Sequence, residues 1–99
     1  MNKNTKILCV CRSGYVRSVG TKRELNKRGY DNVLSVGSYI TPIDTLKMLC
    51  EWADVILLAK PEHGEYILFQ FKKKINDKFY IGDDLEITVS KQLDKIGLI

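Results

Sequence analysis

Cys11 and Arg17 stand six positions apart in Cys11-Arg12-Ser13-Gly14-Tyr15-Val16-Arg17-Ser18, and together they have the means to hold a phosphate dianion against a thiolate. The stretch follows the apolar run Ile7-Leu8-Cys9-Val10, so a buried strand delivers the cysteine into a tight turn. The backbone amides of residues 12 to 17 can curl round three phosphoryl oxygens. A helix starting near Ser18 would aim its positive end at the same point. Arg17 can grip two oxygens with its planar fork, which a lysine could not do. The same positive field would favour the thiolate of Cys11 and make it a nucleophile. The competing reading is a buried strand-end cysteine beside a solvated arginine. Context weighs against it: a strand before, a helix after, Gly14 for backbone freedom in mid-loop, and Ser18 directly after the arginine.

Such a site predicts phosphoryl transfer. Cys11 would attack phosphorus in line and form a cysteinyl-phosphate. Arg17 and the loop amides, contributed by Arg12, Ser13, Gly14, Tyr15, Val16 and Arg17, would stabilise the charge on the equatorial oxygens. Ser18 could donate its hydroxyl to the thiolate. A carboxylic acid should protonate the leaving oxygen and then activate the hydrolytic water, a contribution of roughly 10²–10⁴-fold in rate. Asp83 and Asp84, after the apolar segment Phe79-Tyr80-Ile81, are the candidates for that acid. Their alternative is a polar turn or a helix-capping pair. No metal or other cofactor is required, because arginine and amides meet the phosphate charge.

The elements that must position these groups follow from the apolar pattern. Residues 5 to 10 and 32 to 37, together with Val55-Ile56-Leu57-Leu58 and Lys78-Phe79-Tyr80-Ile81, predict four strands. Residues 18 to 28 predict a helix closed by Gly29. A second helix is expected from Pro42, capped by Thr41, to about Trp52. A third should open at Pro61 and end near Lys72-Lys73-Lys74, and a last should run from Thr88 to about Ile96. Alternating strands and helices define an α/β fold. The expectation is a three-layer sandwich, a four-stranded parallel sheet with helices on both faces. Ligands bind off the carboxyl ends of the strands in such sheets. Cys11 and Arg17 after strand 1, Tyr39 after strand 2, and Asp83 and Asp84 after strand 4 should therefore converge.

The 99 residues predict a single domain, residues 1–99, and the 44% apolar content fits a folded globular chain. No apolar stretch approaches a membrane span, and the first residues show no secretory signal. Three cysteines without framework spacing favour a reducing, cytoplasmic setting. The net charge of +4 draws much from Arg12, Arg17, Lys22, Arg23, Lys27 and Arg28. These are either a solvated helix face or a field that draws anionic substrates to the loop. No nucleic-acid motif is present, so nucleic acid is not the expected partner.

Other residues have plainer readings. Tyr39 could wall the pocket and stack on a substrate ring, or be an ordinary exposed aromatic. His63, on the helix side of strand 3, reads as structural, as does Trp52. Cys9 reads as a small core residue. Cys9, Cys11, Cys50 and His63 lack the paired spacing of a zinc site.

The stretch Cys11 to Ser18 resembles the signature loop of the low-molecular-weight protein tyrosine phosphatases, which begins their chain in the same way. The likeness extends to Val36-Gly37-Ser38, to Glu51-Trp52-Ala53-Asp54-Val55-Ile56, to His63 and to Tyr80-Ile81-Gly82-Asp83-Asp84, in the manner of a compact branch of that superfamily. The resemblance implies hydrolysis of phosphotyrosine, on a protein or as a small aryl phosphate, through a phosphocysteine. It also implies an aspartate general acid, which Asp83 matches. Asp84 occupies the position of the family's following proline. Ser13-Gly14 stands where the family usually has Gly-Asn, and Val16 where it often has a second cysteine. Arg12 replaces an apolar pocket residue and is expected to favour extra negative charge beside the phosphate.

Three other functions compete. A phosphocysteine carrier, like the B subunits of sugar phosphotransferase systems, shares the size and the cysteine loop, but normally lacks the arginine and needs no acid. Arsenate reduction on the same fold would need further relay cysteines, and Cys50 alone is a poor one. A weakly active phosphate- or phosphopeptide-binding module would follow if the altered loop binds without efficient turnover.

Overall fold

The computed structural model describes residues 2–12, 17–81 and 85–99. Ser13, Gly14, Tyr15 and Val16, and likewise Asp83 and Asp84, lie outside the described residues. The elements run β1 (Ile7–Cys11), α1 (Arg17–Lys27), β2 (Val33–Gly37), α2 (Ile43–Trp52), β3 (Val55–Leu58), two short 3-10 helices (Pro61–Gly64 and Phe69–Lys74) and α3 (Leu85–Lys95).

The fold is α/β, with a parallel sheet ordered β2-β1-β3 among the described residues. β1 is central and buried at all five positions, which explains its unbroken apolar run: a strand covered on both faces has no polar side to show. Its side chains alternate between two cores. Ile7, Cys9 and Cys11 pack with Leu25 of α1 and with Val89 and Leu93 of α3. Leu8 and Val10 pack on the other side with Leu46 and Cys50 of α2, and with Ile67 and Phe71. Removing Leu8, which has no exposed surface, to alanine would cost about 2–5 kcal/mol.

Helix α1 ends as its sequence requires. Gly29 takes φ +92°. The amide of Tyr30 donates to Leu25 O at 3.0 Å and that of Gly29 to Asn26 O at 3.1 Å, the paired bonds that satisfy the last carbonyls of a helix. Helix α2 departs from expectation at its start. Pro42, not Thr41, is the N-cap, and no side chain caps it. Helix α3 begins three residues earlier than expected, at Leu85.

Two expected elements take another form. Lys78–Ile81 is not a strand. Asn76 closes a turn there, with its Oδ1 accepting from Lys78 N at 3.1 Å and its carbonyl from Phe79 N at 3.3 Å. This Asx turn breaks the ladder. The segment still flanks β3: Asn76 N donates to Ile56 O and Ile81 N to Ala59 O, each at 3.0 Å, and Phe79 and Ile81 are buried. The helix expected from Pro61 is instead two 3-10 turns, held by bonds such as His63 N to Lys60 O and Phe71 N to Leu68 O. The backbone at Gly64 passes so close to β3 that a Cβ would lie 2.9 Å from Leu58 Cδ1. The tight turns then point Ile67 and Phe71 inward and leave Phe69 89% exposed.

Candidate active site

Connections leave the carboxyl ends of the strands toward opposite faces. After β1 the chain enters α1 on the Cys9–Cys11 side of the sheet. After β2 and β3 it enters α2 and the Ile67–Phe71 segment on the other side. A crevice opens where neighbouring connections diverge. A cleft of about 210 Å³ lies there, lined by Arg12 after β1, Ser38 and Tyr39 after β2, and Glu62, His63, Glu65 and Tyr66 after β3.

Cys11 is the last residue of β1 and 2% exposed. Its carbonyl accepts from Ser38 N at 2.8 Å and from Ser38 Oγ at 3.3 Å, and Arg12 O accepts from Tyr39 N at 2.9 Å. The backbone leaving β1 is thereby pinned to the backbone leaving β2. Cys11 Sγ lies 3.2 Å from Ser18 Oγ. Ser18 is buried in the first turn of α1, directly after Arg17, the helix's first residue. Arg17 O is held in turn by Thr21 Oγ1 at 2.9 Å. The Cys11 thiol and the Ser18 hydroxyl thus meet at the N-terminal end of an eleven-residue helix whose first residue is Arg17, where the dipole favours an anion.

Tyr39 sits on the rim, 60% exposed. The Arg12 guanidinium lies over its ring at 4.8 Å, a cation–π contact. Tyr66 meets it edge-on, with ring centroids 6.3 Å apart. Arg12 shares the cleft with Glu62 and Glu65, so the charge around the entrance is mixed.

His63 is the residue that the sequence pattern undervalued. It does play the structural part expected of it: Nδ1 accepts from Lys60 N at 3.2 Å and closes the Pro61–Gly64 turn. It is also a wall of the cleft, 5% exposed. Burial holds its imidazole below the usual value, and the positive charges of Arg17, Lys60 and Arg12 act in the same direction, with Glu62 opposing. The signal was available in the order of elements, since His63 follows β3 at the same sheet end as Cys11 follows β1.

Glu62, Glu65 and Tyr66 carried no sequence signal beyond that placement. The third loop at the cleft among the described residues is therefore the one after β3. The chain bearing Asp83 and Asp84 is described only as far as Ile81, whose amide reaches Ala59 just beyond β3.

The remaining thiols are placed elsewhere. Burial pushes the Cys9 thiol well up, with Lys22 opposing, and pushes Cys50 up, with Lys74 opposing. Cys9 and Cys50 lie in the cores on opposite faces of the sheet. No disulfide joins the three cysteines. Among the described residues no three His, Cys, Asp or Glu side chains gather as metal ligands, and no helix is long and apolar enough to cross a membrane. No family model, curated protein or solved structure matches this chain.

Proposed function

We propose that the chain is a protein tyrosine phosphatase of the low-molecular-weight type, hydrolysing phosphotyrosine or a small aryl phosphate through a cysteinyl-phosphate. The observation that carries this reading is the 3.2 Å approach of Ser18 Oγ to Cys11 Sγ at the start of α1, with Arg17 between them in sequence. In the proposed reaction the Cys11 thiolate attacks phosphorus, the P–O bond to the leaving group breaks, and Arg17 with the loop amides holds the equatorial oxygens. Asp83 protonates the leaving oxygen and then deprotonates the water that cleaves the P–S bond, with Asp84 as the alternative acid. The bond from Ile81 N to Ala59 O supports that role, because it brings the chain just before Asp83 to the carboxyl end of β3.

The four-stranded, three-layer form of the fold belongs to the same proposal, with residues 75–81 as an irregular edge along β3. So does a reducing, cytoplasmic setting, which a catalytic thiolate needs and which three cysteines outside any disulfide favour.

Turnover of p-nitrophenyl phosphate by wild type, Cys11→Ser, Asp83→Ala and Asp84→Ala tests the proposal. Cys11→Ser should abolish turnover, and Asp83→Ala should lower kcat by about 10²–10⁴-fold, with a smaller loss for Asp84→Ala. Activity that survives Cys11→Ser would sink the mechanism. Stable phosphorylation of Cys11 from a phosphohistidine donor, without hydrolysis, would select the carrier function instead.

A further inference from the structure

We infer that His63 is a substrate-binding residue, its Nε2–H donating to an oxygen of the phosphate group held beside Arg12 and Arg17. The inference rests on the phosphate-binding reading above and adds to it a donor from the loop after β3.

Three observations carry it. The first fixes the tautomer. Nδ1 accepts the Lys60 amide at 3.2 Å, so in the neutral ring the proton sits on Nε2, which can only donate. The second concerns what Nε2 meets. His63 is 5% exposed, and among the described residues no group accepts from Nε2. Nε2 is not one of the sealed polar atoms left without a partner, so it opens to the cleft that the ring lines, where a bound oxyanion can accept its proton. The third is placement. The ring lines the same cleft as Arg12 and experiences the positive charges of both Arg12 and Arg17. That field repels a proton from the imidazole and attracts an anion to its N–H edge. A neutral imidazole donor also suits the task, because it binds phosphate without adding a third full charge to oppose product release.

Glu62 and Glu65 lie along the same wall and would repel a phosphate that drifted toward the rim. Nε2–H and the arginines would therefore fix the phosphate at the cleft's inner end. The aromatic rim of Tyr39 and Tyr66 is left for the organic part of the substrate.

Because the chain has a single histidine, the test is direct. The imidazole of ¹⁵N-labelled wild-type protein is followed by NMR while inorganic phosphate is added at neutral pH. Phosphate should shift the Nε2 resonance and slow exchange of its proton, with Nδ1 little changed. Two variants separate donor from scaffold. His63→Asn keeps an acceptor where Nδ1 caps Lys60 but deletes the outer donor, and should weaken phosphate binding by about ten- to a hundredfold. His63→Gln restores an N–H at about the reach of Nε2 and should recover most of that loss. Phosphate that binds without any Nε2 response, or binds His63→Asn as tightly as wild type, overturns the inference. Cys11-dependent turnover of p-nitrophenyl phosphate would stand in that case. Absence of phosphate binding to the wild-type protein would remove both.

Discussion

Cys11 Sγ and Ser18 Oγ stand 3.2 Å apart although one closes a strand and the other opens a helix seven residues later. Neither is exposed by more than 2%, so neither can trade the other for water. A buried thiol and hydroxyl in this relation have two arrangements. In the thiol form the S–H points at oxygen. In the thiolate form the hydroxyl turns and donates to sulfur, a charge-assisted bond that favours the ionised nucleophile.

Ser18→Ala should therefore lower kcat/KM for p-nitrophenyl phosphate by about ten- to a hundredfold, the worth of a hydrogen bond to a charged group. It should slow alkylation of Cys11 by iodoacetamide at pH 7 in the same direction. If both rates match wild type, Ser18 is packing alone.

The edge-on contact of Tyr39 with Tyr66 makes a different prediction. Their rings form the rim of the cleft, above the groups that would hold phosphate. Tyr39→Ala and Tyr66→Ala should each raise KM for a phosphotyrosyl peptide by about three- to tenfold, the usual worth of an aromatic pair. Affinity for inorganic phosphate, which has no ring to stack, should stay the same. An equal loss for phosphate and peptide would place these residues in the anion site instead of on its rim.

What the sequence made legible was the part governed by local pattern. The strand Val55–Leu58, the end of α1 at Gly29 and the pairing of Cys11 with Ser18 all follow from short-range rules: an unbroken apolar run, a residue that tolerates φ +92°, and a motif of fixed spacing. The segments that departed are those where tertiary contact overrides pattern. Phe69 and Phe71 look alike in sequence, yet Phe69 is exposed and Phe71 buried, because the backbone at Gly64 lies against Leu58 and forces 3-10 turns where a helix was expected. Lys78–Ile81 has strand composition, but the Asn76 side chain bonds Lys78 N and diverts the ladder. The role of His63 at the cleft was hidden for a third reason. It depends on which strands are neighbours, and the order β2-β1-β3 is a property of the whole chain.

Arg28 illustrates the same point with a charge. In sequence it belongs to a basic cluster that could steer anions. In the structure its side chain is 13% exposed and ties α1 to α3. It donates to Glu24 Oε1 at 3.1 Å, Asp94 Oδ1 at 2.7 Å, Ser90 Oγ at 2.8 Å, Ser90 O at 3.2 Å and Leu98 O at 3.1 Å. A lysine has neither the fork nor the donors to serve these partners. Arg28→Lys should lower stability by about 1–3 kcal/mol in urea unfolding, through the lost bonds to the half-buried carbonyls of Ser90 and Leu98. Asp94→Asn should cost only about 0–1 kcal/mol, because Asp94 is 60% exposed. Equal costs for the two variants would mean that the ion pair, and not the carbonyl bonds, holds the helices together.

The depressed basicity of His63 ties the site to stability with a definite sign. In the unfolded chain the imidazole titrates near its ordinary value of 6.5. In the native protein burial, then Arg17, Lys60 and Arg12, push it lower, against the opposing Glu62. Between the two values the unfolded state binds more protons than the native state, so acidification favours unfolding. The contribution of neutral His63 is complete above about pH 6.5, declines as pH falls through that value, and stops declining below the native pKa. His63→Asn has no such group, and the carboxylates common to both proteins cancel in the comparison. The urea midpoint of wild type should therefore fall relative to that of His63→Asn between pH 7.5 and pH 5. A wild type that instead gained on the variant with acid would mean that the native fold prefers the imidazolium, contrary to the field of the two arginines. Saturating phosphate sharpens the test. An anion bound against Nε2 offsets that field and raises the native pKa toward 6.5, so the relative fall should become shallower when phosphate is present.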